Sequence, residues 1–330
     1  MQIGCRGNFG AVKTVKMGCT GLICLLEYIF ASIWLVSVPC YLIFLYVIVK
    51  FRNDDVIGLP VYKILFSIGV ADLFQLVHML WAFKVPWWGY FPSFYTDTLT
   101  PLAGLIMMWE WILTEIQKYG LVVLTLNRIT AIWTPGWHKK IWCLPTIVVL
   151  CLGHWLLPVL FYGRYALLDC WTYRERIAFS YAITCADNAT MAELLKLYQV
   201  RSLLSLLLAA FHLGAYASVV VRLIHLKKFV TPSDELNLSI GQAQVKVTAG
   251  AFLIVSNEFL SFVFYALNSL LRGSDQNEYL RRFLSFFFTD LFSYCNPWVV
   301  LLTSTNVQNA FVNVFTRVQC GLGDSITHTY

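Results

Sequence analysis

Apolar residues run along this chain in long stretches separated by short polar ones, without the two-residue alternation of a half-buried strand. A bilayer core about 30 Å thick takes roughly 20 helical residues to cross. Seven stretches reach that length. Residues 28–49, 142–162 and 202–221 hold no Asp, Glu, Lys or Arg. Residues 64–83, 247–271 and 283–303 hold one carboxylate each: Asp72, Glu258 and Asp290. The third in order, residues 103–133, is interrupted by Glu110, Glu115 and Lys118, and without it the count falls to six. Lipid cannot satisfy free backbone polar groups, so a span is a helix or part of a closed barrel, and unbroken apolar runs exclude the barrel. The pattern predicts an all-α membrane protein, a helix bundle in one domain. Its division is an N-terminal segment 1–27, a spanning domain 28–303 and a tail 304–330.

Composition agrees. Of 330 residues, 58% are hydrophobic and only 13% charged, against roughly 25% in a soluble domain. The net charge of +6 is spread over many short segments, so nucleic acid is not an expected partner. The cysteines form no C-x-x-C pair and no His/Cys ligand spacing, so neither a metal site nor a cofactor is expected. No H-E-x-x-H or G-x-S-x-G motif is present. Gly321-Leu322-Gly323-Asp324 has the look of an intramembrane aspartyl protease motif, but it lies in the polar tail without a second catalytic carboxylate in a helix. The chain is not expected to be an enzyme.

Sidedness is not set by charge, because Lys and Arg divide almost evenly between the two sets of loops. The first apolar run has span length and no clear small-residue cleavage site, so no cleavable signal is expected. The sequon Asn188-Ala189-Thr190, between spans four and five, would place that segment and the N-terminus outside if glycosylated. Asn237-Leu238-Ser239 would demand the reverse. Cys170 and Cys185 share the polar segment 163–201 and are either a disulfide in an oxidising compartment or two free thiols.

Charges inside a bilayer are costly, by about 2.5 kcal/mol upward, and each invites a functional reading. Asp72 lies mid-span, and Asp290 lies seven residues before Pro297. Asp72, Asp290 and Asn296 are expected to border one polar interior cluster, as helix glue or as a switch. Glu115 and Lys118 stand i,i+3 and can neutralise each other. Glu110 has no such partner. It shares a helix face with Arg128 near the opposite membrane surface, where it could meet a cationic group in an outward-opening cavity or equally snorkel to the interface. Glu258, beside Asn257, is a second inward candidate. Arg128 ends span three, its guanidinium expected at the interface, with Asn127 unable to hold it in a salt bridge. Pro135 then stops the helix, Trp133, Trp137 and Trp142 mark the headgroup level, and Lys139-Lys140 suits an anionic leaflet.

Three stretches together, "VADLF" at 70–74, "LNRITAIWTPGWHKKIW" at 126–142 and "TDLFSYCNPWVVLLTSTNVQNAF" at 289–311, resemble the rhodopsin-like seven-helix receptors. In particular they resemble nematode serpentine chemoreceptors of class V, with classes X and T as neighbours. The resemblance implies a seven-transmembrane G-protein-coupled receptor of the plasma membrane, of sensory neuron cilia, with its N-terminus outside. It implies a small-molecule ligand and a heterotrimeric G protein as partners. By the same resemblance Arg128, with Asn127, Lys139 and Lys140, couples to the G protein. Asn296-Pro297 is the span-seven switch, and Asp72 with Asp290 belongs to the central polar network. Glu110 and Glu258 are then ligand-pocket candidates, and Cys170–Cys185 replaces the usual disulfide to span three. The chain departs from the pattern at Asn127, where an acid is usual, and at Val300, where a tyrosine is usual. It also lacks prolines in spans five and six. After span seven, Val307, Phe311, Val314 or Phe315, and Val318 outline a short amphipathic helix on the membrane, with Cys320 beyond it as a palmitoylation candidate. The rival reading is a secondary transporter or ion channel using the intramembrane carboxylates; a third is a non-signalling membrane scaffold.

Overall fold

The computed structural model describes residues 21–53, 57–168, 170–177, 180–185, 187–229, 256, 259, 263, 278–305, 307–312 and 314. The α-helices whose two ends lie among them are α1 (Gly21–Lys50), α2 (Pro60–Met79), α3 (Val85–Trp87), α4 (Ala103–Trp133), α5 (Pro135–Ile141), α6 (Leu144–Tyr162), α7 (Asn188–Phe229) and α8 (Glu278–Thr303). α1 starts ahead of residue 28, because Glu27 is a good helix former and does not stop it. α2, α5 and α6 each open with a proline in the first turn, where the missing N–H costs nothing. Four segments among the described residues are long and apolar enough to cross a membrane: Ser32–Lys50, Pro60–Trp87, Leu144–Leu167 and Thr190–His225. α4 and α8 are helical where spans three and seven are expected, though their polar residues keep them out of that set. The expected sixth span, 247–271, lies outside the described residues, apart from three isolated helical positions.

α4 is the hub, packed by α2, α6 and α7, while α1 and α8 close around α2. Gly120 of α4 allows the tightest approach to α2, since a Cβ there would lie 2.6 Å from Ile68 Cγ1. The outward faces are apolar: Val149, Leu152, Leu156, Leu160 and Phe161 of α6 are all exposed. Such a surface suits lipid and not water.

One element departs from the all-helical expectation. Between α6 and α7, β1 (Trp171–Ile177) and β2 (Ser180–Cys185) form an antiparallel hairpin, with Trp171 opposite Cys185 and Tyr173 opposite Ile183. β-Branched and aromatic residues favour it, and a Cys170–Cys185 disulfide closes its base with the Cα atoms 4.7 Å apart. Of the two states open for these thiols, the structure shows the paired one. The hairpin's Trp171, Tyr173 and Ile183 pack into a cluster with Met108, Trp111, Tyr162 and Tyr95.

α2 does not run regularly to its end. Leu80–Lys84 forms a π-helical turn before α3. Two tyrosines brace that turn: Tyr95 donates to the Trp81 carbonyl at 2.5 Å and Tyr173 to the Ala82 carbonyl at 3.1 Å. Burial pushes the Tyr95 phenol up to about 12, and the Tyr173 phenol is also raised by burial. Both therefore stay protonated donors across the physiological range.

Past α8 the helix breaks at Ser304 and resumes at Thr305, taking in every described residue to Val314. Its apolar face, with Val307, Ala310, Phe311 and Val314, is packed against the bundle; Ala310, Phe311 and Val314 cluster with Val47, Ile43, Phe51 and Ile57. The expected tail helix is thus met by the end of α1 on part of its apolar face. Cys320 lies outside the described residues.

Candidate functional site

Asp72 is fully buried on α2 and is the acceptor at the centre of the bundle. Gln117 Nε2 of α4 donates to Oδ1 at 2.6 Å, Asn296 Nδ2 of α8 donates to Oδ2 at 2.5 Å, and Tyr41 OH of α1 donates to Oδ2. Gln117 also reaches Ser293 Oγ at 3.0 Å. One carboxylate therefore ties four helices, which is how a buried charge in an apolar bundle is made tolerable. Pro297, buried next to Asn296, removes one backbone hydrogen bond from α8 at that level.

Asp290 is not part of this cluster. It stands six residues before Asn296, about 9 Å along the helix, and pairs instead with Lys84. The π turn delivers Lys84 to the interior, where it is 7% exposed. Asp290 Oδ1 and the neighbouring Tyr294 hydroxyl have no partner among the described residues.

Arg128 also differs from expectation: it is buried, 8% exposed, and does not reach out to the interface. α4 continues beyond it to Trp133, and α5 folds back beneath, fastened by Thr130. Trp142 Nε1 donates to Thr130 Oγ1 at 2.7 Å, and His138 Nδ1 lies 3.1 Å from the same oxygen. Burial, and secondarily the Arg128 charge, hold His138 below its ordinary value. Arg128 Nε and Nη2 have no hydrogen-bond partner among the described residues, nor does Asn127 Nδ2, while Tyr62 and Tyr216 lie close enough to act on the guanidinium electrostatically. Lys139 and Lys140 are exposed on α5, and Lys140 Nζ sits 5.6 Å over the Trp137 ring.

Toward the hairpin end, Glu115 and Lys118 pair as their spacing predicts, at 2.9 Å, and Arg201 of α7 joins them with Nε 2.7 Å from the same Glu115 oxygen. Glu110 is half-buried above them, and among the described residues Thr114 is the hydrogen-bond partner of its carboxylate, at 3.4 Å. Glu258 lies outside the described residues. Asn188 opens α7, where Asp187 accepts from the Thr190 backbone N–H at 2.9 Å as an N-cap.

Sequence reasoning missed Lys84, Arg201, Gln117 and three histidines, the half-buried His78 and the buried His154 and His212, that bolt helices to α4. His78 Nε2 lies 2.9 Å from Ile106 O, His154 Nδ1 3.2 Å from Ile116 O, and His212 Nδ1 2.8 Å from Thr125 Oγ1. Lys84 and Arg201 were hidden by the apolar windows themselves, since each sits one residue beyond a window cut where charge begins. No group of His, Cys, Asp and Glu able to hold a metal is present among the described residues.

The family described as "Serpentine type 7TM GPCR chemoreceptor Srv" matches residues 30–317. The chain belongs to this family. It is also 29% identical over 140 residues to serpentine receptor class V-1 of Caenorhabditis elegans, a match covering 41% of this chain and 44% of that relative. The Srv chain is accordingly a multi-pass helical membrane protein of a receptor family, and neither a carrier nor an enzyme is favoured. Asp72 and Asp290 are both engaged by side chains of neighbouring elements, Asp72 by Gln117 and Asn296 and Asp290 by Lys84.

Proposed function

We propose that this Srv chain is a seven-span chemosensory receptor of the plasma membrane, with its amino terminus and the β1–β2 hairpin outside. It detects a small extracellular ligand and activates a heterotrimeric G protein. The observation that carries the reading is Arg128, a cation held inside the bundle with two donor groups unpartnered among the described residues. A buried cation without a matching acceptor is costly. Any rearrangement that gives the guanidinium an acceptor is favoured by that cost, and an inserted G-protein segment would supply one. The Asp72–Asn296 link between α2 and α8 and the proline beside it provide the element whose two arrangements a ligand can bias. Glu110, near the hairpin end of α4, is the ligand-side candidate, and Lys139 and Lys140 on α5 face the partner.

The test is ligand-stimulated nucleotide exchange in membranes carrying the chain, with Arg128→Ala alongside. Exchange should rise with ligand in the parent and stay flat in the variant at equal surface expression. Equal stimulation of the two would overturn the role of Arg128.

A further inference from the structure

Glu115, Lys118 and Arg201 meet where α4 faces α7, with Glu110 five residues earlier on α4 and within their field, and the hydrogen-bonding capacity of this group is only partly used. Glu115 is fully buried and takes both Lys118 Nζ and Arg201 Nε on its Oε1. Lys118 spends a further donor on Ser205 Oγ at 2.7 Å. The Arg201 guanidinium lies with Cζ 5.1 Å from the Trp111 ring centroid. With Nε fixed on Glu115 and one face on the indole, its end-on Nη edge is left without a hydrogen-bond partner among the described residues. Glu110 is the opposite pole. It has no cation within ion-pair distance among the described residues, yet Arg201 and Lys118 are the cations whose field it feels most. Trp111, Tyr162 and Tyr198 supply an aromatic wall, with Trp111 centred 6.3 Å from Tyr162 and 6.5 Å from Tyr198.

Resting on the receptor reading, we infer that Glu110 and the Nη edge of Arg201 form the ligand-recognition site, and that the ligand is a small zwitterion of the amino-acid type. Its ammonium meets Glu110, and its carboxylate takes the planar fork of Arg201, the geometry that arginine offers and lysine does not. The charge count favours this class. Two carboxylates and two cations already balance, so a neutral amphoteric ligand fills both poles without adding net charge to an apolar bundle. A simple amine or a simple acid would leave one pole unmatched. Glu115 and Lys118 hold Arg201 in place and are positioning residues.

The experiment uses the full chain in lipid nanodiscs and reads thermal stabilisation by the free amino acids, each hit retested as its decarboxylated amine and its deaminated acid. For phenylalanine these are phenethylamine and 3-phenylpropionate. At least one amino acid should stabilise the parent, with each single-charge counterpart binding at least tenfold more weakly. Arg201→Lys keeps a cation for Glu115 and so keeps the fold; it should weaken the amino acid at least tenfold and leave the amine unchanged. Glu110→Gln should weaken amino acid and amine together and spare the acid. The site is overturned if no amino acid stabilises the parent, if a single-charge counterpart binds as well as its parent compound, or if Arg201→Lys has no effect. Binding with silent nucleotide exchange would overturn G-protein coupling and leave the site standing. Exchange driven by a ligand indifferent to Arg201→Lys would do the opposite.

Discussion

Asp72 offers the sharpest test of how the bundle is held, because two substitutions at one position separate charge from hydrogen bonding. Asp72→Ala removes the acceptor of three buried hydrogen bonds at once: those from Tyr41 OH, from Asn296 Nδ2 and from one N–H of Gln117 Nε2, whose bond to Ser293 Oγ remains. Each lost acceptor costs about 1–3 kcal/mol. Even at the low end, with water entering the space left behind, the loss is about 3 kcal/mol. Asp72→Asn keeps the shape and one acceptor oxygen. That oxygen can serve Tyr41 and Asn296, and Gln117 can turn its amide so that Oε1, unpartnered in the parent, accepts from the new NH₂ group. The exchange gives up charge-assisted bonds, a loss of about 1 kcal/mol each. It also removes the desolvation of a buried carboxylate, an opposing term of several kcal/mol. The net for Asn is therefore within about 1 kcal/mol of the parent, on either side. Unfolding of the full chain in mixed micelles should separate the two variants by at least about 2 kcal/mol, Ala below Asn. If Asn proves as damaging as Ala, the carboxylate is held by its charge, and hydrogen bonding as the bundle's central tie is refuted.

Gly104→Ala would set a Cβ 2.4 Å from the Ala166 carbonyl oxygen and 2.7 Å from Trp171 Cδ1; the strain, about 1–3 kcal/mol, should exceed the helix-propensity gain of about 1 kcal/mol and lower thermal stability. Cys170→Ser with Cys185→Ser opens a short loop under the hairpin, for which the typical cost is about 2–4 kcal/mol; limited proteolysis should cut between β1 and β2 first, and unchanged protection would contradict a hairpin held by that bond. His138 has a folded value below its unfolded one, so its contribution to stability is present above pH about 6.5 and is lost as pH falls through the folded value. A stability–pH curve should show this acid-side loss in the parent and less of it in His138→Gln; a loss on the alkaline side would reverse the assignment.

The bundle was largely legible because lipid imposes its own length on apolar runs: the ends of α4 at Ala103 and Trp133 and of α6 at Tyr162 fall where hydropathy predicts them. What one face of one helix can reveal was legible too, as with Glu115 and Lys118. Pairings across helices were not. Asp290 looked like a neighbour of Asp72, yet its distance along α8 and the inward turn of Lys84 give it a different partner. Arg128 looked like an interfacial anchor, because nothing in its local sequence shows that α5 folds beneath it. The hairpin escaped notice because residues 163–201 are mixed in polarity, and two short strands leave a weak pattern beside seven long apolar runs.

The five-residue winding at Leu80–Lys84 sets the angular phase of everything beyond it. Winding the same residues as ordinary α-helix would swing the following side chains by about 100°. Lys84 would then point away from Asp290, and the carbonyls of Trp81 and Ala82 would turn from the two phenols that grip them. A chain that reads as uniformly greasy along this segment thus hides one surplus residue, and it is that surplus that aims Lys84 inward.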